Sequence, residues 1–162
     1  MRTLKHLFAT RAGTRARFPR SAEGAISAAI RATEERSSGE VRFAIETGLG
    51  IRALWSGLTP QERARQVFAQ LAVWDTELRN GVLIYVLMAD RHVEIVADRG
   101  AAARVPPADW ERAARLMEEQ FRARRFRAGA VAGVEAVGEL LARHFPAGAT
   151  NRDELPNQPT LL

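Results

Sequence analysis

The sequence contains no cysteine among its 162 residues. That excludes disulfides, thiolate nucleophiles and every cysteine-ligated zinc or iron–sulfur site. No uninterrupted apolar run approaches the ~18 residues a membrane-spanning helix needs. Residues 1–20 lack the apolar stretch of a secretory signal, because Leu4, Leu7 and Phe8 are followed at once by Thr10-Arg11-Ala12-Gly13. A soluble chain in the cytoplasm, peripheral to the inner face of the membrane, is the expectation. Histidine is scarce: His6, His92 and His144 lie far apart without the H-E-x-x-H spacing of a zinc hydrolase. The few aromatics, 7 Phe, 3 Trp and 1 Tyr, do not alternate with cations as a nucleic-acid platform requires, and Phe121 and Phe126 are spaced as core. No specific nucleic-acid partner is expected. Acids are missing from residues 1–20, which carry six cations, whereas the rest of the chain sets 18 arginines against 19 acids. The net charge of +5 is therefore that of a basic N-terminal arm. Its expected role is weak contact with an anionic surface.

What is present, 46% hydrophobic and 27% charged residues, suits one globular domain. The expected division is a basic arm at 1–20, a domain at 21–146 and an irregular tail at 147–162. The spacing of Ile26, Ala29, Ile30 and Thr33 predicts a helix from Ser21 to Arg36, stopped by Gly39. Glu40–Glu46 alternates polar and apolar as a strand with one solvated or partner-facing side. Residues 48–57 read as a loop. Thr59-Pro60-Gln61-Glu62 is a capping-box helix start, with Pro at the first helical position. That helix is expected to run to about Asp75, burying Val67, Phe68, Leu71 and Trp74. Val82–Met88 is an apolar, β-branched run fit for a central strand covered on both faces. His92–Ala97 alternates again and pairs with it as an antiparallel hairpin. Helices over about 108–125 and 127–144 complete the chain. Strand–helix–strand at 40–88 implies parallel strands, so the fold class is an α/β/α three-layer sandwich with a small mixed sheet.

The motifs that carry chemistry are few. Gly48-Leu49-Gly50-Ile51-Arg52-Ala53 has dinucleotide-loop spacing, but the capped helix begins ten residues too late to receive a pyrophosphate. Gly129 and Gly133 form G-x-x-x-G, read as close packing of a soluble helix on the sheet. The arginines at 122, 124, 125 and 127 read as a solvated helix surface. No nucleophile–base pair is found, so no catalytic residue is assigned. The topology brings Glu40, the segment Asp75 to Asn80, and Asp98 to one edge of the sheet. Clustered carboxylates and an amide oxygen there suit a hard cation. The candidate metal ligands are Asp75, Asn80, Asp98 and Glu40. The candidate phosphate or partner contacts are Arg91, Asp90 and Arg42.

Val73-Trp74-Asp75 leading to Asn80-Gly81-Val82-Leu83-Ile84, then Ala89-Asp90-Arg91-His92-Val93-Glu94-Ile95, resembles the TPM-domain family over about residues 22–145. The ending Glu154-Leu155-Pro156-Asn157-Gln158-Pro159 resembles a short bacterial branch, often encoded beside another TPM protein and a LemA-like membrane protein. The resemblance implies an α/β/α sandwich. Family members include thylakoid proteins tied to photosystem repair and receptor-accessory proteins. Some are associated with calcium binding and with a proposed acid phosphatase activity. The positions it marks here are Asp75, Asn80, Asp90, Arg91 and Asp98. Ala97-Asp98-Arg99-Gly100 stands where the family has Gly-aromatic-Gly. The expected function is an interaction module that binds a divalent cation, calcium by analogy, and assists a membrane-associated protein partner. The alternative is a divalent-cation-dependent acid phosphatase.

Overall fold

The computed structural model describes residues 2–148 and 153–162. Its central sheet has the order β3-β2-β1-β4, formed by β1 (Glu40–Glu46), β2 (Gly81–Leu87), β3 (His92–Ala97) and β4 (Thr160–Leu161). β1 and β2 run parallel with Glu40 level with Gly81 and Glu46 level with Leu87. β3 returns antiparallel to β2, pairing Ala97 with Val82 and His92 with Leu87. The hairpin closes by the Arg91 N–H donating to the Met88 carbonyl at 3.2 Å, with Arg91 left-handed at φ 50°. This longer turn replaces the two-residue one that Asp90-Arg91 disfavours.

Helices cover both faces, so the α/β/α sandwich is the observed architecture. On one face α3 (Arg20–Glu34), α7 (Pro107–Arg122) and α8 (Phe126–His144) pack against Val41, Phe43, Ile45, Val82, Ile84 and Val86. Phe18, Phe121 and Phe126 form an aromatic knot there, with centroids 5.6–6.0 Å apart. On the other face α5 (Pro60–Gln70) packs through Ala64 and Val67 onto Ala44, Leu83, Tyr85 and Leu87, joined by Leu155 of the tail. Gly133 sits where an added Cβ would lie 2.1 Å from Met117 Sδ, and Gly138 where it would meet Thr33 Oγ1 at 2.3 Å. The small residues of α8 thus admit α7 and α3, rather than the sheet.

Several boundaries differ from the sequence reading. α3 starts at Arg20 behind Pro19 and ends at Glu34. The capping box at Thr59 and Glu62 is present, but α5 stops at Gln70, and Ala72 turns left-handed at φ 50°. Trp74 therefore leaves the buried stripe and is 54% exposed. One helical turn, α4 (Ile51–Trp55), lies within the expected loop. Residues 2–17 form α1 (Arg2–Leu7) and α2 (Arg11–Arg17), joined to the body by buried His6 and Thr14. β1 is buried along its whole length. Its polar side, expected to face solvent or a partner, is covered by α5 and the tail. The tail is also not wholly irregular: β4 pairs parallel to β1, Thr160 level with Ala44 and Leu161 with Ile45. Charged side chains on a strand do not forbid burial where each finds a partner, and the pattern of alternation does not show partners that come from elsewhere in the chain. α6 (Arg99–Arg104) completes the described elements.

Candidate functional site

Strand register determines which predicted residues share an end of the sheet. At the start of β1 the Glu40 N–H donates to the Asn80 carbonyl at 3.4 Å, and the Asp98 N–H donates to the Gly81 carbonyl at 2.9 Å. Glu40, Asn80 and Asp98 thus lie at one rim. Their side chains do different things. Asn80 is fully buried, and its Nδ2 donates to the Ser38 carbonyl at 2.6 Å. Its Oδ1 is buried without a hydrogen-bond partner among the described residues. Asp98 Oδ1 accepts the Arg99 N–H at 2.8 Å, capping α6, and lines a cavity with Phe68, Trp74, Arg79 and Arg99. Asp75 is exposed on the turn after α5.

Among the described residues, one group of acidic or histidine side chains brings three ligand atoms within 4.8 Å of one another: Glu34, Glu40 and Asp153. Glu40 is the single member in common with the predicted set; Asp75 and Asp98 join no such group. Glu34 comes from the end of α3, and its Oε1 accepts the Val41 N–H at 3.3 Å. Glu40 Oε2 accepts the Leu155 N–H at 3.1 Å, which ties the tail to the rim. Burial, and then the charge of Glu40, pushes Glu34 up to about 8. Burial likewise pushes Glu40 up to about 7, against the N–H groups of Leu155 and Glu154. A cavity of about 410 Å³ opens beside the cluster, lined by Arg31, Glu34, Glu35, Asp153 and Asn157. Asn157 Oδ1 has no hydrogen-bond partner among the described residues. An all-oxygen donor set with buried carboxylates is what calcium or magnesium takes, so these residues fit such an ion.

Arg42, next on the same side of β1, serves the tail. Its Nη1 donates to the carbonyls of Pro156 at 2.6 Å and Gln158 at 2.8 Å, and its Nη2 bonds Thr160 Oγ1. Burial lowers its affinity for its proton. Asp90 and Arg91 belong to the opposite end, in the β2–β3 turn. There Asp90 Oδ1 faces His6 Nε2 at 3.1 Å, while His6 Nδ1 accepts the Leu49 N–H at 2.9 Å. Glu40, Asn80 and Asp98 therefore share a rim with each other, and the Asp90–Arg91 pair does not join it.

Sequence reasoning missed Glu34, which sits one residue before Glu35 at a helix end with nothing local to distinguish the two. It also missed Asp153, in a segment read as irregular, and His6, in a segment read as a basic arm. His92 pairs with Glu94 at 2.7 Å and Glu118 at 2.6 Å, and the hydrogen bond to Glu94 raises its pKa.

The fold matches a known domain class. The family model of the TPM domain matches residues 15–140. The chain belongs to the TPM-domain family. It is similar to the BA42 protein of the psychrophilic bacterium Bizionia argentinensis, whose NMR structure has 35% identity and a TM-score of 0.75, covering 87% of this chain and 92% of that one. The N-terminal domain of cg2496 from Corynebacterium glutamicum, also solved by NMR, shares the fold at 14% identity and a TM-score of 0.56, covering 80% of this chain and 76% of that one. Among curated proteins none matches the sequence.

Proposed function

We propose that this TPM-domain protein is an interaction module that takes a divalent cation, calcium by its oxygen chemistry, between Glu34, Glu40 and Asp153, and so fastens its C-terminal tail. The carrying observation is the meeting of the three carboxylates at the point where the Leu155 N–H is held by Glu40. Without an ion, burial favours the protonated forms of Glu34 and Glu40; a cation would displace those protons and convert mutual repulsion into shared coordination. Ordering the tail along β1 presents its remaining surface to a protein partner, membrane-associated in this reading, from a position beside the membrane. Among the described residues no helix is long and apolar enough to cross one.

The test is calorimetric titration of the whole chain with calcium, and separately with magnesium, at neutral pH. One site with proton release is expected, abolished in Glu40→Gln. Absence of heat with both ions refutes the reading.

A second reading, a cation-dependent acid phosphatase, is favoured by Arg31 and Glu34 lining one cavity. Arg31 would receive a phosphate beside an ion held by Glu34, Glu40 and Asp153, which would polarise the phosphoryl oxygens. A chromogenic phosphate ester assayed with and without calcium, in wild type and Glu34→Gln, decides it; equal background turnover in all four arms removes this reading.

A further inference from the structure

The opposite end of the sheet carries another concavity, of about 510 Å³, at the carboxyl ends of the parallel strands β1 and β2. Open α/β sheets bind ligands in this position. Its floor is Thr47, Met88 and Ala89, which follow the two strands, and its wall is α1, α2 and the turn between them. Much of that wall, including Lys5, Phe8 and Thr10, precedes the residues matched by the family model, which begin at 15. The N-terminal helices thus build a pocket that the matched domain does not itself enclose.

Three cations line it: Lys5, Arg17 and Arg91. Arg17 is set in place by Nη1 donating to the Gly13 carbonyl at 2.9 Å and by its guanidinium 5.7 Å from the Phe126 ring centroid. Arg91 stands on the left-handed turn described above and lines the pocket. The acid in the lining, Asp90, turns Oδ1 to the His6 ring. Thr47 is 8% exposed and lines the pocket, yet its hydroxyl has no hydrogen-bond partner among the described residues. A buried hydroxyl in that state would gain a bond from an incoming acceptor. Cations around an unsatisfied donor select a phosphate oxygen.

The rim identifies the carrier of that phosphate. On α1 and the residue after it, Leu4, Leu7 and Phe8 lie at i, i+3 and i+4 and are 56%, 59% and 75% exposed. They stand on the segment in which six cations occur with no acid. α4, which packs against α1, adds exposed Ile51 and Trp55. Apolar side chains projecting beside a phosphate-selective pocket, with basic residues around them, match a bilayer surface of anionic lipid. We propose that this pocket receives the phosphate of an anionic phospholipid headgroup while Phe8 and its neighbours enter the acyl boundary. The assignment is independent of the acidic rim.

The test is co-sedimentation of the whole chain with phosphatidylcholine vesicles, with or without phosphatidylglycerol, at low and high salt. In parallel, amide NMR shifts are followed during titration with inorganic phosphate. Expected are binding to the phosphatidylglycerol vesicles only, weakened by salt, and shifts at Thr47 and Arg91. Phe8→Asp should weaken vesicle binding by roughly tenfold or more. Lys5→Ala should weaken it about fivefold. Thr47→Val, nearly isosteric, should weaken both vesicle and phosphate binding with the unfolding midpoint retained. Failure to bind the anionic vesicles overturns the proposal, as does equal binding to both vesicle types. Phosphate shifts without vesicle binding would make the pocket one for a free anion. Vesicle binding insensitive to Thr47→Val would reduce it to diffuse charge attraction.

Discussion

Strand β1 begins and ends on a buried glutamate, Glu40 and Glu46, and the two ends handle the charge in opposite ways. Glu46 lies between the Arg63 guanidinium, whose Nε and Nη2 each donate to its carboxylate at 2.9 Å, and the Tyr85 hydroxyl at 2.5 Å. That acid is neutralised within the fold: the hydrogen bond to Glu46 raises the Arg63 pKa, and burial, with Glu46 next, raises that of Tyr85. Glu40 meets Glu34 and Asp153 instead. The same residue type in the same strand is structural where an arginine faces it and responsive where more carboxylates do. Burial without a built-in counter-charge is the feature that leaves a site open to protons or an ion.

The contrast can be broken most severely at the neutralised end. Arg63→Ala strands the Glu46 carboxylate and should destabilise the chain by about 3–5 kcal/mol in denaturant unfolding. An effect below about 1 kcal/mol would show that the pair is solvent-screened. At the other end the effect should be pH-dependent. Glu34 and Glu40 hold protons up to about 8 and about 7 when folded, against ordinary carboxylate values of 4.5 when unfolded. The folded chain then binds more protons across that window, and stability falls as pH rises through it. Glu34→Gln should flatten this slope and add roughly 2 kcal/mol at pH 8. Calcium should restore stability to wild type at pH 8 and not to the variant; a pH-independent wild type contradicts the expectation. Tyr85→Phe removes one donor from Glu46 but leaves Arg63, so about 1–2 kcal/mol is expected, measured by thermal unfolding at neutral pH. The smallest effect should come from Thr59→Ala. It loses the cap of the helix that carries Arg63 and should lower stability by about 1 kcal/mol, with the slope against pH unchanged.

Legibility in the sequence followed the range of the interactions. The capping box at Thr59, the apolar run of β2 and the alternation of β3 are local, and each appears where periodicity predicts it. The rim was partly legible, because Glu40, Asn80 and Asp98 lie at strand ends and strand direction carries them to one side. Asp75, exposed on the turn that follows left-handed Ala72, joins no carboxylate group among the described residues. Trp74 left its predicted face because α5 stops at Gln70.

Hydrophobic periodicity and turn chemistry thus specify the elements and the mixed sheet, since they depend on neighbours a few positions away and on which face must leave water. The identity of the clustered carboxylates was settled by packing, since Glu34 closes on the start of β1 from a helix end and Asp153 arrives with a tail drawn in by Leu155 and Arg42. The same holds at the opposite end, where the basic N-terminal residues become a pocket wall through His6 and Thr14. Those contacts join segments far apart in the chain, and no local pattern records a partner that only folding brings near.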